Sequence, residues 1–156
     1  MRSTPATAAL TRAGVGFVER TYSHLADGTS YGEQAARALG VDPRQLFKTL
    51  LVQVDQRLVV ALVPVAGQLD LKALAAAVGG KRGQLAAPAV AERATGYVVG
   101  GISPLGQRRR LPTVVDDSAT AHPTVWVSGG RRGLQLELAP ADLIALTDAV
   151  VAPVSR

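Results

Sequence analysis

One of only three lysines, in a chain with fourteen arginines, lies inside an apolar segment: LFKTLLVQV, residues 46 to 54. In an extended strand Lys48 points the same way as Leu50, Val52 and Val54, while Phe47, Thr49 and Leu51 point the other way. Two uses fit. The stem can pack while the ammonium reaches water at the strand end. Alternatively, the ammonium can stand at a pocket rim as a compact charge for an anion or a developing oxyanion. The residues alone leave both open. Two glycine-rich stretches could supply the rest of a site. GGISPLG, residues 100 to 106, makes a tight shaped loop whose backbone can approach a ligand closely. VSGGRRG, residues 127 to 133, follows an apolar run and puts Ser128 at a strand end. Each is equally an ordinary turn.

Other chemistries find little support. Without cysteine there is no thiolate nucleophile, disulfide or thiolate metal site. His24 and His122 have no partner at metal-ligand spacing, so neither a metal nor another cofactor is expected. No G-x-S-x-G elbow accompanies them, which argues against a Ser-His-Asp hydrolase. The glycine loops are followed by neither Lys-Ser/Thr nor a helix, so they are not nucleotide fingerprints. Asp116-Asp117 could form a carboxylate pair, but surface charge is the simpler reading.

The chain of 156 residues is 47% hydrophobic and 19% charged, which suits one compact domain with a substantial core. Its net charge of +5 favours a polyanionic partner, RNA being the commonest. Lys81-Arg82, Arg108-Arg109-Arg110 and Arg131-Arg132 each border glycine or proline and belong on loops. No secretory signal and no membrane-length apolar run is evident, so a cytoplasmic protein without membrane contact is expected.

The elements that must hold these residues read as follows. A helix starts near Pro5 and stops at Gly14, and residues 16 to 23 form a strand. Ser30 to Glu33 is a capping box opening a helix to Leu39, stopped by Gly40. Residues 47 to 54 and 57 to 63 make a hairpin around Asp55-Gln56. Asp70 caps a helix ended by Gly79, and residues 88 to 94 form a short helix. Irregular chain follows. Strands come near 112 to 116, 124 to 128 and 133 to 138, a helix begins at Pro140, and a short strand lies near 149 to 152. Without a βαβ rhythm, the class is α/β of the α+β type, with a mixed, mostly antiparallel sheet surrounded by helices.

Four stretches, FKTLLV, VALVPVAGQLDLKAL, TGYVVGGISPLGQRRRLPTVVD and VWVSGGRRGLQLEL, resemble the YbaK family in order and over nearly the whole chain. These are free-standing bacterial deacylases of misacylated Cys-tRNA(Pro), similar to the editing domain of prolyl-tRNA synthetase. The resemblance implies that fold, an aminoacylated tRNA 3′ end as substrate, and prolyl-tRNA synthetase as partner. It places the essential lysine on Lys48 with Thr49 beside it. The Gly-x-x-x-Pro loop falls on Gly100 to Pro104, with Gly101 inside it, and Tyr22, Tyr31 and Ser128 match pocket positions. Two departures stand out: Tyr31 replaces a common Phe, and Gln135 a common Asp.

The mechanism the resemblance implies uses the substrate cysteine's own thiol against its ester. Such a site needs positioning and charge rather than a triad. The competing expectations are an Ala-tRNA(Pro) or other aminoacyl-tRNA deacylase of the same fold, and a non-catalytic module that binds tRNA or synthetase.

Overall fold

In the computed structural model, which describes residues 3–23 and 30–156, the predicted hairpin is central. β2 (Phe47–Val54) and β3 (Arg57–Pro64) pair antiparallel over their full length, Phe47 against Pro64 and Val54 against Arg57. Asp55 makes the turn at φ +52°, a conformation Asp tolerates better than most residues. Its carboxylate accepts from the amides of Arg82 and Lys81, each at 3.0 Å, and these bonds lower its pKa.

The hairpin is buried on both faces, so its residues are apolar in succession rather than in alternation. Leu58, Val60 and Leu62 of β3, with Phe47 and Leu51 of β2, join the larger core. Val59, Ala61 and Val63, with Val52 and Val54, join a second core under α3 (Leu71–Ala77). Around the hairpin the five-stranded order is β4-β2-β3-β5-β8, with β4 (Gly83–Leu85), β5 (Thr113–Asp116) and β8 (Val150–Ala152). β4 joins antiparallel, while β3–β5 and β5–β8 run parallel. A second sheet, β1-β7-β6, is antiparallel throughout and comprises β1 (Val18–Thr21), β6 (Val125–Ser128) and β7 (Leu134–Leu138). The remaining helices are α1 (Pro5–Ala13), α2 (Tyr31–Leu39), α4 (Pro88–Thr95) and α5 (Pro140–Thr147).

The α+β class and the mostly antiparallel pairing match expectation. The strands divide between two sheets, however, joined at an isolated bridge between Leu46 and Trp126. Helix boundaries agree closely: Gly14 and Gly40 stop α1 and α2 in the left-handed region, at φ +71° and +66°. Ser30 Oγ accepts from the Glu33 amide, one arm of the expected box. α3 stops at Ala77, slightly before Gly79. Two elements lay outside the reading. β4 is three residues long and exists through its pairing with β2, and a 3-10 turn covers Asp117–Ala121. His24 lies outside the described residues. Among the described residues no helix is long and apolar enough to cross a membrane.

Asp116 corrects the surface-charge reading of Asp116-Asp117. It is buried at 2% exposure. One oxygen accepts from the amides of Val154 and Ser155, both at 2.9 Å, and the other from Ser118. Burial pushes its pKa up, but the hydrogen bonds from Ser118, Val154 and Ser155 outweigh it and the net direction is down. The carboxylate thus anchors residues 154–156, which pair in turn with Gln68 and Leu69. Asp116→Asn is expected to cost about 2 kcal/mol at neutral pH, as loss of charge-assisted bonds would. A depressed carboxylate stabilises above its unfolded pKa of about 3.9 and loses that effect as pH falls through the folded value. Denaturant melts from pH 7 to pH 3 should therefore show the gap between wild type and variant closing at the acid end.

Candidate active site

β2 is paired unequally on its two edges. β3 covers one edge completely, whereas β4 covers only Val52–Val54 of the other. Beyond Leu51, whose carbonyl accepts from Ala86, and before the Leu46–Trp126 bridge, that edge borders a cavity of about 360 Å³. The cavity opens at the seam between the two sheets. Its walls come from the first turn of α2, the end of β4 and start of α4, the 99–102 loop, Ser128 and Gln135. They are mostly apolar, as ligand sites generally are.

Lys48 lines this cavity and is half-buried. Its Nζ donates to the carbonyl of Gly67 at 3.1 Å. Among the described residues the single ion pair joins Asp42 and Arg44, so none of their carboxylates pairs with Lys48. An ammonium has three donors, and Gly67 takes one. Its companions Leu50, Val52 and Val54 belong to the second core, as the alternation predicts.

The glycine loop is held from behind. Glu92 accepts from the Val99 amide at 2.9 Å, and Tyr97 donates to Leu105 O at 2.6 Å. Burial pushes the Tyr97 hydroxyl pKa up to about 12, so it stays a donor. Gly100 has φ +91°, and a Cβ there would stand 2.9 Å from the Tyr31 ring. A Cβ on Gly101 would stand 2.7 Å from the backbone of Arg131. Both glycines are therefore required by close approach: Gly100 by Tyr31, Gly101 by the 129–133 loop. Arg132 closes the rim. Its Nε donates to Val99 O at 2.8 Å, and its guanidinium lies 5.0 Å over the Tyr31 ring.

Of the residues singled out from sequence, Tyr31, Lys48, Thr49, Gly100 and Ser128 line one cavity. Gly101 stands behind the wall. Tyr22 packs with Ala35, Ala36, Leu46 and Trp126, beneath α2 rather than on the cavity surface. Gln135 also lines the cavity, opposite Ser128 in the β6–β7 register. The sequence reading left it without a role, and it missed Arg132 as a rim residue. Thr49 Oγ1 and Gln135 Oε1 are buried with no hydrogen-bond partner among the described residues. His122 lies in a separate groove with Asp42 and Arg44, away from Ser128.

The profile described as aminoacyl-tRNA editing domain matches residues 27–146. The chain belongs to that family. It is 38% identical over 125 residues to EbsC of Enterococcus faecalis, which carries the name of a Cys-tRNA(Pro)/Cys-tRNA(Cys) deacylase. That alignment covers 79% of this chain and 76% of EbsC. Among solved structures, one described as a trans-editing enzyme for prolyl-tRNA synthetase superposes with a TM-score of 0.83 at 30% identity, covering 100% of this chain and 99% of that one. A hypothetical protein superposes with a TM-score of 0.86 at 27% identity, over 98% and 100% of the two chains. The editing-domain match spans Tyr31, Lys48, Thr49, Gly100, Ser128 and Gln135, so the whole cavity lies inside the family's own segment.

Gly101→Ala tests how tightly the rim is packed. The new methyl would press on main chain rather than on a flexible side chain. Overpacking of this kind costs about 1–3 kcal/mol. The expected outcome is a lower melting temperature, with Arg131 and Arg132 displaced from the rim in a crystal structure of the variant.

Proposed function

We propose that this protein is a trans-editing hydrolase that deacylates mischarged Cys-tRNA(Pro). The observation that carries the reading is Lys48: a half-buried ammonium without a carboxylate partner among the described residues, in an apolar cavity, within a chain of the aminoacyl-tRNA editing family. The named activity of EbsC and the description of the superposed trans-editing enzyme support it.

The cavity suits the aminoacyl end of the tRNA. Lys48 is aimed at the ester and terminal ribose, where a fixed positive charge stabilises the oxyanion as the carbonyl is attacked. In the thiol-assisted route the substrate's sulfur bonds to its own carbonyl carbon and the carbonyl–O3′ bond breaks. The thiol proton ends on the ribose oxygen, releasing tRNA and a cyclic thiolactone. Gly100 and the first turn of α2 border that reaction space, and backbone amides there can position the carbonyl. No protein nucleophile is needed, in keeping with a cysteine-free chain.

Exposed Arg108, Arg109, Arg110 and Arg132 supply positive charge for acceptor-stem phosphates, contacts that do not read sequence. Selectivity for tRNA(Pro) would then come from prolyl-tRNA synthetase as a partner.

Two measurements test the reading. Lys48→Ala should lower single-turnover deacylation of Cys-tRNA(Pro) about 10²–10³-fold, the scale of one lost oxyanion contact, with folding intact by circular dichroism. Unchanged deacylation would remove Lys48 from the chemistry, whereas a wild type without deacylation would leave a binding module. Separately, a serine-charged tRNA(Pro), which lacks the thiol, should be hydrolysed much more slowly. Equal rates for the two esters would point to direct attack by water.

A further inference from the structure

Two buried polar atoms of cavity-lining residues have no partner among the described residues, and a main-chain group lies beside them. Gln135 is 5% exposed, and its Oε1 accepts nothing; Thr49 Oγ1 is equally orphaned. The main chain of Thr49 adds to them. Val60 N–H bonds to Pro112 O, so the even-numbered residues of β3 turn their polar groups toward β5 and the odd-numbered ones toward β2. In the β2–β3 register Val63 and Ala61 therefore exchange bonds with Lys48 and Leu50. Thr49 N–H and C=O point the other way, to the uncovered edge bordering the cavity. Along that edge the Leu51 carbonyl is satisfied by Ala86, and the Thr49 carbonyl is the next acceptor.

Buried acceptors without donors are uncommon, because each forfeits its hydration. The Gln135 amide oxygen, the Thr49 hydroxyl and the Thr49 carbonyl give this part of the cavity three acceptors beside the Thr49 N–H, and a ligand with several donors would use them. The wall already holds a cation in Lys48, but β2 alternation sends it to the opposite face from Thr49. An aminoacyl ester offers one strong donor group beyond the ribose, the α-ammonium with its three N–H bonds; a thiol is a weak donor. The aminoacyl group is also the terminus of the substrate, so it reaches the most enclosed atoms.

We propose that Gln135 and the Thr49 edge of β2 form the subsite for the substrate's α-ammonium, an assignment that rests on the deacylase reading above. Gln135 and Thr49 then require a free amino acid ester, whatever its side chain. Lys48, on the opposite face, serves the ester.

Cysteinyl-tRNA and 3-mercaptopropionyl-tRNA differ only in the amino group and test this directly. Wild type is expected to prefer the cysteinyl ester by about 10- to 100-fold in kcat/KM, the discrimination expected when buried acceptors are left unpaired. Gln135→Met, close to isosteric, should reduce that preference at least several-fold relative to wild type, with Gln135→Leu and Thr49→Val acting in the same direction. Its melting temperature should hold or rise, since an unpaired buried amide oxygen is exchanged for an apolar chain. An unchanged preference in all three variants overturns the subsite while leaving the deacylase reading intact. So does a parallel loss on both substrates with a sharp fall in melting temperature, which makes Gln135 a packing residue. A wild type inactive on Cys-tRNA(Pro) would remove the deacylase reading, and the subsite with it.

Discussion

A strand edge left uncovered inside a folded chain must find other partners for its amides and carbonyls. β2 has such an edge because β4 is only three residues long and Trp126 meets the strand only at Leu46. The gap between these two contacts is where the cavity lies. A longer β4 would complete the ladder and fill the site. The shape of the cavity thus follows from where pairing stops.

The same strand divides two cores. Alternation along β2 sends Phe47 and Leu51 to one and Val52 and Val54 to the other. Lys48 and Thr49, adjacent in sequence, therefore present their side chains on opposite faces of one rigid support. Rigid strands position groups more accurately than loops do. The loops instead form the rim, locked by close approaches: Gly100 against Tyr31, Gly101 against Arg131, and Arg132 bridging Val99 and Tyr31.

Much of this was legible in the residues. Gly14 and Gly40 stop helices where a left-handed residue is needed, and Asp55-Gln56 sits between two apolar runs, so local chemistry determines both kinds of boundary. Lys48, Gly100 and Ser128 were recognisable by residue type and context, and the fold brings them to one cavity. The rest depends on tertiary pairing. GQL at 83 to 85 carries no strand pattern of its own, so neither β4 nor the gap it leaves could be read. Asp116 looked like surface charge because its partners, the amides of Val154 and Ser155, lie 38 and 39 residues away. Gln135 sits in an alternating strand segment, and alternation does not reveal whether the polar face meets water or an enclosed cavity.

The acceptor that steadies Lys48 is a main-chain carbonyl, Gly67 O, in a turn fastened by Gln68 and Leu69 to residues 155 and 156. No exchange of side chains at position 67 would delete that acceptor. The lysine's orientation is thus encoded in the course of the chain rather than in the identity of any partner. It can survive wide sequence drift around the turn, and an inspection of side-chain pairs alone would never register it.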